Sequence, residues 1–430
     1  MTEARPTAAQ TAAQTGAQTG AQTAERFAAR VRKRNAAERR FRALGLGAVL
    51  LSALVLAFLL VSMTSSGAGG FRRAELVFPI DFRVAPMQID ALRLSQSDPR
   101  GGLELAGLED AVARAAEASL GADGAVELSD VAWREVAETL IADPVLLQER
   151  FTVSLPASGD LASGLRGGGS PAVQALARRL VREGKLRNVF DPGFLTRSDA
   201  TEAQAVGIWG ALKGSILTMA VTLALAFPIG VLSAIYLEEY APRNRWTDWI
   251  EISINNLAAV PSIIFGLLGL AVFLAVFPNY RSAPLIGGMT LALMTMPVIV
   301  ISARNAIKAV PPSIRDGALA IGASRIQVVF HHILPLALPG ILTGTIIGMA
   351  RALGETAPLL MIGMRAFVAT PPDGLTSPSS VLPVQIFLWS DEIDRGFVER
   401  TSAAIIVLLL FLLAMNGLAI YLRNRFERRW

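Results

Sequence analysis

Apolar residues in this chain are gathered into six runs, each near the length of a bilayer crossing, and long stretches of them lack any Asp, Glu, Lys or Arg. The runs cover about Ala43–Met63, Trp209–Leu237, Ile252–Phe277, Pro284–Ala303, Leu336–Met364 and Ser402–Leu422. Each reaches the ~20 residues that an α-helix needs to cross the hydrocarbon core. Trp209, Trp249, Tyr280 and Tyr421 fall near predicted interfaces, where amphipathic aromatic rings gather. The pattern predicts six transmembrane helices.

The stretch between the first two runs is different in kind. Phe78, Ile80, Phe82 and Val84 alternate with Pro79, Asp81 and Arg83, the period of a half-buried strand. Ser129 precedes a helical stretch through Trp133, Val136, Ala137 and Leu140. Ser170-Pro171 opens a second helix with Val173, Leu176, Ala177 and Leu180 on one face, and Gly184 ends it. These elements predict a small α+β domain over 65–205. The fold class expected is therefore an all-α polytopic membrane protein carrying a small α+β domain.

The N-terminal segment sets the orientation. Residues 7–24 repeat a short Ala-Gln-Thr-Gly theme that has nothing to bury, so residues 1–42 are expected to form a disordered basic tail. Arg30, Arg32, Lys33, Arg34, Arg39 and Arg40 stand directly before the first apolar run. That basic cluster can grip anionic lipid, but its position beside a span makes it first of all a topology signal, holding the N-terminus in the cytoplasm. The long segment before the run makes residues 43–64 an uncleaved anchor rather than a signal peptide. Six crossings then place 65–205 outside, a membrane domain over 206–422, and the tail at 423–430 inside. Arg423, Arg425, Arg428 and Arg429 in that tail agree. The loop over 304–335 is cytoplasmic by the same count.

Composition supports the membrane reading and excludes several chemistries. The chain is 52% hydrophobic and only 17% charged, apolar for a soluble protein of its size. Its net charge of +5 comes almost wholly from arginine, for only Lys33, Lys185, Lys213 and Lys308 are lysine. No nucleic-acid-binding signature accompanies that bias. There is no cysteine, and the two histidines, His331 and His332, are adjacent, so they cannot share one helix face as metal ligands; no metal site is expected. Without a Walker A motif, ATP is not expected on this chain, and no cofactor is predicted.

Two segments carry candidate chemistry. Arg351 and Glu355 lie four residues apart within the fifth run, on one helix face. Ionisable groups at membrane depth cost at least ~2.5 kcal/mol each on insertion scales, so they mark a pathway or a pair. A structural ion pair is one reading. The other is an anion path, since the planar fork of arginine suits phosphate. Gly354 and Pro358 loosen the helix at that point. Arg304, at the end of the fourth run, either snorkels to headgroups or lines the inner mouth of the path. The second segment is the cytoplasmic loop, where Asp316-Gly317-Ala318 is followed by Gly322 and later by Leu334-Pro335. A loop of that length in a compact bundle usually has a docking partner.

That loop resembles the coupling loop of bacterial ABC-importer permeases, in which Glu-Ala-Ala, three residues, Gly, nine residues and Ile-x-Leu-Pro follow in order. Gly322, Leu334 and Pro335 fall in register and Ala318 is identical. Asp316 is conservative, Gly317 replaces an alanine and His332 replaces the isoleucine. In that family the loop docks on the ATPase, and an acidic residue in the first helical turn would complement the dipole. The segment from Ala350 to Leu360, with Arg351-Ala352-Leu353-Gly354-Glu355-Thr356-Ala357-Pro358, closely resembles the signature of the A-type permease subunit of phosphate-specific (Pst) ABC importers. Val260–Leu267 is similar to a second segment of that family. The resemblance covers residues from about 207 onward. It implies the type I permease fold, phosphate as cargo, and four kinds of partner: a C-type permease subunit, an ATPase dimer, a periplasmic phosphate-binding protein and membrane lipid. It implies the bacterial inner membrane as the location and assigns no role to the 65–205 domain. A permease for another oxyanion, such as sulfate or molybdate, and a membrane-anchored sensor with an outer ligand domain are the competing expectations.

Overall fold

The computed structural model describes residues 8–83, 99–121, 124, 126–364, 367–394 and 396–426. Val84, expected at the end of the strand pattern, lies outside the described residues, as do Arg428 and Arg429. Helix α1 (Ala8–Gly70) is one continuous helix that contains the first apolar run within Lys33–Gly70. It begins far ahead of the run, where the sequence predicts an unstructured tail. Alanine and glutamine propagate a helix already nucleated in the apolar segment. Leu50, Leu54 and Phe58 on α1 are exposed, as a lipid-facing helix requires.

The α+β domain is built on three strands. β1 (Arg72–Asp81) is central, with β2 (Arg150–Pro156) and β3 (Leu186–Phe190) antiparallel on either side. Leu76 stands opposite Leu155 and Leu186, and Phe78 opposite Val153, so the alternation read from sequence puts Ala74, Leu76, Phe78 and Ile80 on the buried face. Helices α2 (Pro99–Leu105), α3 (Leu108–Leu120), α4 (Ala132–Ala142), α5 (Gly159–Leu165) and α6 (Pro171–Arg182) supply the rest of that core through Leu108, Val112, Trp133, Val136, Leu140, Leu161 and Leu180. Ser170 caps α6 by accepting from Val173 N at 3.3 Å, and Gly184 beyond its end has φ 74°.

A four-residue helix, α7 (Gly193–Thr196), leads to the helices of the second half of the chain. These are α8 (Trp209–Ile235), α9 (Arg245–Ala258), α10 (Ser262–Leu268), α11 (Leu274–Val276), α12 (Pro284–Lys308), α13 (Pro312–Ala320), α14 (Arg325–Gln327), α15 (Leu334–Gly354), α16 (Ala357–Met361), α17 (Leu382–Ser390) and α18 (Gly396–Phe426). α12 is the centre of the bundle and packs against α8 and α15. Small residues make this possible: a Cβ on Gly230 would lie 2.9 Å from Ile299, and one on Gly288 would lie 2.5 Å from Val221. The buried hydroxyls of Thr290, Thr295 and Thr345 each donate to the carbonyl four residues back at 2.9 Å, which satisfies these donors inside the apolar interior.

Two predicted spans differ from the structure. The expected single crossing over Ile252–Phe277 is a broken pair, α9 and the segment Ser262–Val276, bent by 104°. Pro261 disfavours helical backbone at Val260, and α9 ends just before it. The expected crossing over Leu336–Met364 stops at Gly354, and α16 restarts two residues later. Among the described residues, five helices are long and apolar enough to cross a membrane, or six spans if the bent pair counts as one.

Candidate translocation site

The break between α15 and α16 carries the predicted Arg351 and Glu355. Helix α15 buries Ile341, Gly344, Gly348 and Ala352 against its neighbours, leaving Ile347, Arg351 and Gly354 along one exposed stripe. The Arg351 side chain is 49% exposed, at the last turn. Gly354 is the last helical residue, and Glu355 turns to an extended conformation (φ −80°, ψ 117°), its N–H donating to Ala352 O at 3.2 Å. The structure does bring the two charges together, with Arg351 Nε 3.5 Å from Glu355 Oε1. The pair therefore bridges the helix end rather than lying along a continuous helix face.

α16 is held in place by α10. Gly266 makes the close approach possible, since a Cβ there would lie 2.6 Å from Pro358 Cα and 3.0 Å from Met361 Cβ. The two segments singled out by sequence, Val260–Leu267 and Ala350–Leu360, thus meet directly behind the charged pair.

Arg304 is elsewhere. Gly340 of α15 faces Ala306 and Gly344 faces Ser302, so the two helices are antiparallel and Arg304 lies level with about Leu342. Nine residues of helix then separate it from Arg351, about 14 Å along the axis. Its guanidinium is buried between two carboxylates, Glu238 and Glu251, with Nη2 2.7 Å from Glu251 Oε2. Neither headgroup snorkelling nor a free cation at a path describes it.

In the loop predicted over 304–335, α13 holds Asp316 and Gly317 exposed and Ala318 buried against Val328 and Val329. Pro311-Pro312 starts this helix four residues ahead of Asp316, so the carboxylate is in the middle of α13 and not in its first turn as expected. Gly322 ends the helix in the left-handed region (φ 89°), donating to Leu319 O at 3.0 Å, while Ala323 N donates to Ala318 O at 3.1 Å. Ser324 and Gln327 form a capping box for the next helical segment, which widens to a π-helix over Val328–Ile333. Leu334 and Pro335 then open α15.

Sequence reading passed over the acidic partners of this region. Glu238 and Glu239 end α8 as a π-helical turn, and Glu239 accepts a two-pronged interaction from Arg315 of α13. The available signal was an adjacent pair of acids facing an arginine-rich loop.

Residues 226–430 match the family of binding-protein-dependent transport system inner membrane components, and residues 28–175 match a domain of unknown function, DUF3333. YqgI of Bacillus subtilis, a probable ABC transporter permease, is 31% identical over 241 residues, covering 52% of this chain and 82% of its own. The phosphate transport system permease PstA of Yersinia pestis is 32% identical over 215 residues, covering 50% of this chain and 71% of its own. The chain belongs to the PstA family of ABC-transporter permeases. A member of this family is a transporter component and a multi-pass inner-membrane protein. The phosphate permease PstC of Haemophilus influenzae is also similar, 31% identical over 226 residues, covering 47% of this chain and 70% of that one. The match at 226–430 takes in the loop over 304–335, the Arg351–Glu355 break and the α10 segment packed against α16. The separate match at 28–175 covers most of the α+β domain but stops before β3.

Proposed function

We propose that this permease carries inorganic phosphate inward across the membrane by alternating access, driven by ATP hydrolysis on a separate ATPase dimer. The observation that carries the reading is Arg351, a cation half-exposed on a helix of membrane depth and beside a helix break. Lipid is a poor environment for such a face, whereas a water-lined path shared with a second, C-type permease subunit satisfies it. Glu355 holds the guanidinium when no anion is present, and phosphate competes for the same fork. The non-helical residues Glu355 and Thr356 let this corner of the path reshape without unwinding a long helix.

The segment Asp316–Gly322, together with Leu334 and Pro335, is the docking element for the ATPase. A periplasmic phosphate-binding protein delivers the anion to the outer face. Both termini lie in the cytoplasm, and the α+β domain stands outside. ATP is held by the partner, not by this chain.

The test is uptake of radiolabelled phosphate at low external concentration in cells lacking this chain, with and without its re-expression. Restored, ATP-dependent uptake is expected. Uptake unaffected by its loss, with other high-affinity phosphate systems removed, overturns the phosphate assignment.

A further inference from the structure

Glu238 and Glu239 are neighbours at the π-helical end of α8, and their side chains reach different elements. Glu239, with its side chain 8% exposed, accepts from Arg315 of α13 through both oxygens, Nε lying 3.0 Å from Oε2. Glu238 accepts from Arg304 and stands 3.4 Å from Lys308 Nζ, both at the end of α12. Arg304 in turn reaches Glu251 of α9 at 2.7 Å. A chain of charge contacts therefore runs from α13 into α8, α12 and α9.

Two features say that this arrangement serves motion as well as stability. Carboxylates at a helix C-terminus oppose the helix dipole, so helix formation alone gives no reason for two of them there. A cavity of about 230 Å³ also opens beside the Arg315–Glu239 pair, bounded by Leu319 and Val328, so there is room for α13 to shift while the ion pair holds. π-helical turns, present here at both Tyr236–Tyr240 and Val328–Ile333, recur at functional segments of helices.

We infer that Glu238 and Glu239 are positioning residues that relay displacement of α13 into α8, α12 and α9. This rests on the proposed function, in which the ATPase acts on α13. A fork-on-fork contact between Arg315 and Glu239 resists sliding in two directions, and Glu238 passes the displacement to Arg304 through the shared backbone turn.

The experiment uses the complete transporter, with its second permease, ATPase and binding protein, in liposomes, and reads phosphate moved per ATP hydrolysed. Glu239→Gln and Arg315→Gln are each expected to lower that ratio at least about threefold while hydrolysis continues. The charge exchange Glu239→Arg with Arg315→Glu should restore most of it. Single variants that keep the wild-type ratio overturn the relay. So does a parallel loss of transport and hydrolysis that the exchange leaves unrepaired, because that marks a purely structural tie. A wild-type complex that hydrolyses ATP without moving phosphate overturns the phosphate reading instead. The relay is then decided by a spin label on exposed Ser253 of α9, whose ATP-driven displacement Arg315→Gln must abolish.

Discussion

Arg400 and Asp191 form a buried ion pair, Nη2 to Oδ2 3.0 Å, that ties the first turns of α18 to the end of β3. The same guanidinium donates to Ala203 O at 2.8 Å and Gly70 O at 2.6 Å, and lies 5.1 Å from the centre of the Phe194 ring. Arg197 pairs with Asp191 from the other side at 2.7 Å. Around these charges Phe194, Ile208, Trp389 and Phe397 close an apolar cluster shared by the α+β domain and helices α8, α17 and α18. The domain is thereby seated on α17 and α18, not hung on a flexible linker.

Removing Asp191 should be severe. The Arg400 and Asp191 side chains are 3% and 2% exposed, so Asp191→Ala strands a guanidinium in a dry site. Breaking a buried pair from one side costs about 3–5 kcal/mol, whereas replacing both partners by apolar groups costs much less. Thermal unfolding in detergent should show a large drop for Asp191→Ala and a smaller one for Arg400→Met combined with Asp191→Leu. Equal drops for the two proteins would contradict the argument.

The same junction gives the α+β domain a pH dependence. Asp199 accepts from Trp389 Nε1 at 3.0 Å, and burial pushes its carboxyl above the usual carboxylate range against the pull of its hydrogen bonds. Glu202, which accepts from Ser129, is raised by burial in the same way. A raised acid binds its proton more tightly folded than unfolded. Its contribution is therefore full below the unfolded value, about pH 4, and is lost as pH rises through the folded value. Asp199→Asn keeps an acceptor for the indole and removes the charge. It should be more stable than wild type at pH 7, with the difference shrinking toward pH 4. Unfolding midpoints measured across that range check this, and a constant difference would refute it.

Where the fold was legible, periodicity had one cause. Phe78 and Ile80 alternate because one face of β1 is buried, and Leu180 sits on the inner face of α6 for the same reason. The break at Pro261 was harder to read, because apolarity continues across it and only local backbone sterics stop the helix. Arg351 and Glu355 were found because charge is rare at membrane depth. Glu239 and Asp191 were not, because each lies in a mixed-charge segment where solvation explains a carboxylate as well as a buried partner does. Only the fold brings Asp191 to Arg400, 209 residues away.

Arg351 offers a graded test of the path. Arg351→Ala removes both charge and fork, while Arg351→Lys keeps the charge but loses bidentate geometry. Hydrogen bonds to charged groups are worth about 1.5–3 kcal/mol, so the alanine variant should lower phosphate uptake by roughly ten- to a hundredfold. The lysine variant should fall between alanine and wild type. Initial uptake rates over a range of phosphate concentrations decide the matter, and an alanine variant with unchanged rate and affinity removes Arg351 from the path.

Gly266 tests whether the α10–α16 contact matters to transport. A methyl group there meets the backbone of Pro358 at 2.6 Å and the Cβ of Met361 at 3.0 Å, and backbone cannot rotate away as a long side chain can. Gly266→Ala must push α16 outward or tilt it about Glu355 and Thr356. Overpacking of this kind costs about 1–3 kcal/mol, enough to shift a two-state path by about tenfold. Gly354 is the matched control, because it adjoins the same break but has no neighbouring atom within 4 Å of an added Cβ. At equal membrane abundance, Gly266→Ala should reduce phosphate uptake strongly and Gly354→Ala only slightly. If both reduce it alike, flexibility at the break is what matters, and the packing of α16 on α10 is not.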